Sequence, residues 1–516
     1  MYDLLIVGSG GAGLSCALEA KKQGFKVAVI SQSAPTNAAT CMAQGGLNAA
    51  ISDEDGDSPE LHAKDTIKGA AGLANEKMVL DMCQGAKECV EWLDSIGMPF
   101  SRKKDKIAQR KFGAASKDRT TYSQDYTGLK LLHTLYDNCL KEDIEFLDDR
   151  FVMELIMEGS TCKGVITLKD DKIEAIQSGL VALATGGYAG IYHGYSTNAA
   201  ESTGDGAAMA LRAGARLCDM EFVQFHPTSL SGSSALISES ARGAGGFLVN
   251  QKGERFVDEL MSRDEVSRAV FMETQNANEV FLDIRHLGDE FISKSLPQEK
   301  KLIHIHAHLD PSKELVPIAP AAHYSMGGID VDEDLQTSIK GLYALGECSN
   351  IKVHGANRLG GNSLLEIVYF GKLAVKNMKK ISLHVDIKKH EKVSQKKIDE
   401  LMSDEKSDTF FKLRDRLGSE LFQKAGIFRD KKGLEEMANS IKAMKSSFDD
   451  LTLYDKSWLV SHLKFKNSLE VAYAVVLSAN AREESRGAHY RKDFKKSNKQ
   501  ALHSFFDNSL HVRFSK

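Results

Sequence analysis

Leu4-Leu5-Ile6-Val7-Gly8-Ser9-Gly10-Gly11-Ala12-Gly13 is the stretch on which the fold turns. Four apolar residues in a row read as a buried strand of a parallel sheet. A glycine turn follows at once. Leu14 to Gln23 then has helical character, with Gly24 as its C-terminal stop. Val27 to Ile30 is a second apolar run. Strand, glycine turn, helix and strand in that order give weight to a Gly-x-Gly-x-x-Gly pattern that means little alone. The first amides of such a helix have no partners inside it, and the helix dipole adds partial positive charge. Gly8, Gly10 and Gly13 let a pyrophosphate approach that end. The pattern predicts a dinucleotide site, against the plainer reading of a tight turn. The second strand closes on Ile30-Ser31-Gln32, with no acidic residue to hold a ribose. That argues against NAD and leaves FAD open.

Around this nucleus lie 516 residues, enough for roughly two to four domains. Apolar residues make up 42% and charged residues 27%, which excludes a disordered or fibrous chain. A net charge of −4 offers no bulk cationic field for nucleic acid or an anionic membrane. No apolar run approaches the ~18 residues needed to span a bilayer. The N-terminal segment lacks the basic start and cleavage site of a signal peptide. The expected location is the cytoplasm, with any contact to the inner face of the membrane made through a partner. Cys16, Cys41, Cys83, Cys89, Cys139, Cys162, Cys218 and Cys348 are scattered, with no Cys-x-x-Cys. A disulfide framework, an iron–sulfur cluster and a structural zinc are not expected, and no metal site is assigned.

Residues 75–96 and 129–140 read as helices, separated by a polar, glycine-broken segment. Val181 to Gly187 and Gly341 to Glu347 read as further strands of the first sheet. The nucleotide fold is thus interrupted and resumed, with an inserted domain between. Beyond about 375 the chain is rich in Lys and Glu with helical periodicity, and its charge runs read as solvated helix faces. The resulting division is 1–228, 229–335, 336–380 and 381–516.

Five segments place His, Arg and Glu in glycine-rich settings. They are Gln224-Phe225-His226-Pro227-Thr228, Ser238-Glu239-Ser240-Ala241-Arg242-Gly243, Ser262-Arg263-Asp264, His323 to Gly328 and His354 to Ser363. Each has a bland alternative. His226 before a proline reads equally as the end of a strand, and Arg263 beside Asp264 as a surface ion pair. Several cations near glycine turns point to an anionic substrate, because Arg grips a carboxylate with two parallel hydrogen bonds. Spacing alone does not show that they converge.

With these segments in view, the chain resembles the flavoprotein subunit of succinate dehydrogenase and fumarate reductase, and the related L-aspartate oxidase. The resemblance covers nearly the whole chain. It also takes in Ala43 to Ala50, Leu132 to Tyr136, Ala184 to Gly187, Thr203 to Gly206 and Glu483 to His489. It implies an α/β fold: a Rossmann-like FAD-binding domain interrupted by an α+β capping domain and followed by a helical C-terminal region. Carried over, Gly8, Gly10, Gly11 and Gly13 cradle the pyrophosphate, and Ser31 meets the ribose. Thr40, Ala43, Gln44, Gly45 and Gly46 line the isoalloxazine, and Thr185, Gly186, Asp205, Glu347, Ser363 and Leu364 complete the cofactor set. His226, Ser238, His323, Arg358 and Phe112 match substrate-binding positions. Arg263 matches the residue that moves the substrate proton, with Glu239 and Arg242 as its relay. The implied reaction is interconversion of fumarate and succinate, with hydride from flavin N5 and a proton through Arg263. The implied partner is an iron–sulfur subunit leading to a membrane quinone.

The departures carry information. Many members attach FAD covalently through a histidine; Ala39 stands at that place, so FAD is expected to be non-covalent. Ser238 replaces a threonine but keeps its hydroxyl, and Ala244 replaces a glutamate. L-Aspartate oxidase carries an acidic residue facing the substrate ammonium, where this chain has Phe112. The chain length, however, is closer to that of the oxidase. Two alternatives stay open: an L-aspartate oxidase making iminoaspartate for NAD biosynthesis, and an electron-relay or assembly flavoprotein with little catalysis.

Overall fold

A computed structural model describes residues 2–52, 56–275, 279–381, 385–403 and 409–516. Leu4, Leu5 and Ile6 are fully buried in the strand Tyr2–Val7, as an apolar run in a sheet covered on both faces should be. The helix that follows is Gly11–Lys22, three residues earlier than its apolar pattern suggests. The glycine turn is already its first turn. Gly24, at φ 78°, ends it.

The main sheet sets Glu145–Leu147, Val27–Ile30, Tyr2–Val7, Lys172–Leu183 and Leu342–Ala344 side by side and parallel. Lys172–Leu183 changes partner along its length. Its first half pairs antiparallel with Thr161–Lys169, which pairs in turn with Phe151–Glu158. Val7, Leu183 and Ala344 lie in register, so three strands finish together at their carboxyl ends. Gly8, Gly186 and Gly346, all at positive φ, begin the loops that leave that edge. Ligands of such sheets bind at this edge.

A second apolar core runs from Leu230 to Ile318. It lies on an antiparallel sheet ordered Val223–Leu230, Val316–Ser325, Val280–Asp283 and Phe247–Asn250. The C-terminal region supplies the helices Ile387–Leu401, Thr409–Ala425, Lys431–Asp449 and Leu459–Ala481. It then adds two strands that periodicity does not foretell. His503–Phe506 pairs with Leu217–Cys218, and Val512–Ser515 pairs with His503–Phe506. Buried polar side chains fasten this return: Arg482 holds Glu221 at 2.5 Å and Glu484 at 2.9 Å, and His503 bonds Asp219 at 2.6 Å. Cys218 lies beside Asp219 and His503. Asp219 also accepts from the Ser504 amide and Asn350, so its oxygens are already occupied.

Gly13 and Gly24 differ sharply in what a methyl group would cost. A Cβ on Gly13 would overlap the Gly8 carbonyl oxygen, whereas nothing lies near Gly24. Gly24→Ala should cost about 1–2 kcal/mol, the price of a left-handed backbone. Gly13→Ala must displace backbone and should melt well below it or fail to fold. Equal melting temperatures for the two variants would contradict the close packing of helix on strand.

Candidate active site

A cavity of about 730 Å³ opens at the carboxyl edge of the parallel sheet and is walled by both apolar cores' elements. Its long arm is a cradle of backbone. Gly8, Gly10 and Gly11 line it where Gly11–Lys22 begins, and the Gly11 amide donates to Thr40 Oγ1 at 3.1 Å. Ser31 lines it and bonds Ser9 at 2.7 Å. Thr185, Gly186, Thr40, Ala43, Gln44, Gly45 and Gly46 line it as well. Asp205 is held by Thr203, Asn467 and Lys464 at 3.0, 2.7 and 3.0 Å. Ser363 and Leu364 line it from the first turn of Asn362–Leu373, whose preceding residue, Gly361, has φ 83°. Glu347 accepts the Ser325 amide at 2.9 Å, and burial lifts its carboxyl to about 7. Gly13 is outside this lining; it packs on Gly8 from behind.

The short arm gathers charge. His226 sits in Val223–Leu230, His323 in Val316–Ser325, and their rings lie 4.9 Å apart. Burial, with Arg263 beside both, holds each imidazole well below its usual range, so both are neutral. Arg263 opens the helix Arg263–Gln275 and donates Nε to Glu239 Oε2 at 2.8 Å. Its Nη1 donates to Gln224 Oε1 at 3.0 Å, and Arg358 Nη2 donates to the same oxygen at 3.3 Å. The Gln224 amide nitrogen donates to Asn357 Oδ1 and to the Arg358 carbonyl, which fixes the direction of its oxygen. Arg358 lies over the Tyr324 ring at 4.1 Å, and Tyr324 donates to Glu366 at 2.5 Å. Burial, then repulsion from Arg263, lowers the Arg358 guanidinium to about 10.

Glu239 is also held by the Gly113 amide at 2.7 Å, next to Phe112, which lines the cavity. Burial pushes this carboxyl up, but Arg263 and Arg242 outweigh it, so it lies below the usual range. Arg242 stands behind Glu239, 3.9 Å away, and does not line the cavity. It donates to the Glu259 carbonyl at 2.5 Å, and the Glu259 carboxylate holds the surface residue Arg255 at 2.7 Å. Arg263, Glu239 and Arg242 thus stand in a row leading away from the cavity, the first two joined by a hydrogen bond and the last two by an ion pair at 3.9 Å. Ser238 caps the helix Glu239–Gly243 and lines the cavity.

Sequence reasoning gave no role to Gln224 and Tyr324, although both lie in the quoted segments, and passed over Thr197 and Lys464. Gln224 could have been found, because it lies two residues before His226 in a strand and so faces the same way. Thr197 bonds His323 at 2.8 Å and Lys464 reaches in from the C-terminal helix, and no local pattern marks either.

The donor set fits a flavin dinucleotide. The cavity is long, walled by glycine at the phosphate end, and Gln44 Oε1 is buried in its wall without a partner among the described residues. It also fits an anion beside that cofactor. Arg358 Nε is buried without a partner among the described residues.

Comparison with known proteins agrees with this geometry. Residues 3–364 match the family described as FAD binding domain, and residues 414–511 match the one described as fumarate reductase flavoprotein C-term. The succinate dehydrogenase flavoprotein subunit of Rickettsia bellii is 37% identical, covering 96% of this chain and 90% of that protein. The 8-methylmenaquinol:fumarate reductase flavoprotein subunit of Wolinella succinogenes is 36% identical, over 95% and 86%. A solved E. coli quinol fumarate reductase FrdA variant superposes with a TM-score of 0.93 at 32% identity, covering 100% of this chain and 96% of that one. The chain belongs to the family of succinate dehydrogenase and fumarate reductase flavoprotein subunits.

Proposed function

We propose that this chain interconverts fumarate and succinate, as the flavoprotein subunit of a fumarate reductase or succinate dehydrogenase. The carrying observation is the pair of guanidiniums, Arg263 and Arg358, bridged by Gln224 in the same cavity as the dinucleotide cradle. When bound, FAD supplies a hydride to one carbon of the double bond. The protein's own groups do the rest. Arg358, His323, His226 and Ser238 bind and polarise the two carboxylates, so the substrate meets fixed donors. Arg263 gives a proton to the other carbon, and the products of the two transfers are succinate and a neutral guanidine. An arginine is a poor acid in water. Its role rests on its place: it lines the cavity and is bonded to Glu239. Glu239, a carboxylate bonded to Arg263, takes a proton from the neighbouring Arg242 and passes it to the neutral Arg263, which leaves Glu239 a carboxylate again, and Arg242 regains its proton from solvent. Succinate oxidation follows the same path in reverse.

Phe112 supports a substrate without an ammonium group. Its ring lines the cavity, and Arg110 already lies 5.9 Å from its centre. Ala39, also in the cavity wall, offers no nucleophile for a flavin bond, which supports non-covalent FAD. The cysteines of this chain are all free and dispersed, which supports delivery of electrons by a separate iron–sulfur subunit from a quinone. Among the described residues no helix is long and apolar enough to cross a membrane, so contact with the membrane's inner face would run through such partners. The separate core from Leu230 to Ile318 supports a cap at 229–335 inserted in an FAD-binding unit of 1–228 with 336–380, whereas the first core continues into 381–516, whose boundary rests on its helical content alone.

Arg263→Ala should lower fumarate reduction by about 10²–10⁴-fold while the purified protein keeps its flavin. Equal turnover in the variant would remove Arg263 from the reaction, and absent turnover in both forms would remove the reaction itself. Denaturation in acid or detergent should release all flavin into solution; yellow, fluorescent polypeptide would reveal a covalent bond. The KM for fumarate should rise as the pH passes through about 10, because a neutral Arg358 no longer attracts a dianion. A flat KM across that range would place the substrate elsewhere.

A further inference from the structure

The helix Pro297–Ala307 belongs to the second core, through Leu296 and Ile303, and starts without a side-chain cap of its own. Its cap comes from the first unit. Asp125, just before the helix Thr127–Lys141, accepts the Gln298 amide at 2.6 Å and the Glu299 amide at 3.3 Å. A carboxylate suits these unpaired amides. Glu299 then adds a second carboxyl to the contact. Both side chains are fully buried, and the Asp125 Oδ1 and both Glu299 carboxyl oxygens have no donor among the described residues other than each other's carboxyl.

Two bare carboxylates are costly in a buried contact, whereas one shared proton gives an oxygen of each a partner and removes one of the two charges. The charged and titratable groups that act on them are Arg110, which attracts both carboxyls and has Tyr122 beside it, and Tyr126. Arg110 supplies one positive charge, so two carboxyls with a single proton between them balance it. Arg110 also donates to the carbonyl oxygens of Gln44 and Gly45, at 3.2 and 3.1 Å, and stacks on Tyr122 at 4.5 Å. Those carbonyls belong to the loop that lines the cavity.

We propose that Asp125 and Glu299 are positioning residues: a proton-sharing carboxyl pair that seats the second unit on the Gln44–Gly45 loop and lets go when its proton is lost to solvent. The latch is independent of which reaction occurs, while its effect on turnover rests on the fumarate reading. Burial, with Asp125 beside it, holds the Glu299 carboxyl well above its usual range. A raised group stabilises the contact fully below its free value, and that contribution is lost as the pH climbs through the raised value. The latch therefore weakens with rising pH.

Glu299→Gln keeps the shape and a hydrogen-bond donor but cannot ionise. FAD-loaded parent and variant would be melted from about pH 6 to about pH 10, and their reduced flavin reoxidised by fumarate over the same range. The parent should lose melting temperature faster with rising pH, by about 2–4 °C more at the alkaline end. The alkaline limb of reoxidation should move to higher pH in the variant. Parallel melting curves would overturn the latch. A melting difference with an unmoved alkaline limb would overturn its positioning role. If neither form reacts with fumarate, the functional reading fails and the melting curves still decide the latch. Should Glu299→Gln not fold, Asp125→Asn removes the other ionisable half and carries the same expectation.

Discussion

Two guanidiniums in one cavity repel each other, and a single amide oxygen bridges them. Gln224 Oε1 accepts from Arg263 and Arg358, which puts the donating nitrogens within about 6 Å of each other. At an effective dielectric of ~20, that separation costs roughly 3 kcal/mol. The surrounding architecture answers that cost. Glu239 neutralises Arg263, and the Tyr324 ring, backed by Glu366, supports Arg358. Both histidines are kept neutral, so they add donors or acceptors without adding charge. The residual positive charge is the binding energy available to a dianion.

That balance requires three parts of the chain to meet. Gln224 and His226 ride on the second sheet, Arg263 on a helix packed against it, and Arg358 on the loop after the last parallel strand. The cavity lies where those parts close over the carboxyl edge of the first sheet. The C-terminal region also takes part. Lys464 and Asn467 hold Asp205 in the cavity wall, and Arg482 ties the final strands to Glu221, three residues before Gln224. A helical appendage by composition is thus a structural wall of the cofactor site.

What the sequence made legible follows from distance along the chain. Gly8 to Gly13 could be read directly because strand, turn and helix are contiguous, and only the helix start was misplaced. The inserted second unit was visible as an interruption between apolar strands. The strands His503–Phe506 and Val512–Ser515 were not, because four residues that pair with Leu217–Cys218 carry no period of their own. The cationic cluster was suggestive segment by segment, yet its convergence came only through resemblance. Arg242 has the predicted neighbours but stands one layer behind the cavity. Asp125 and Glu299 look like ordinary surface acids until the fold buries them against each other.

The most direct measurement is anaerobic and optical. Purified FAD-loaded protein is reduced, mixed with fumarate, and followed by the return of oxidised flavin absorbance; oxidised protein is mixed with L-aspartate in parallel. The account predicts rapid return of the oxidised spectrum with fumarate and no bleaching by aspartate. Bleaching by aspartate, or reduced flavin that persists in the presence of fumarate, would contradict it.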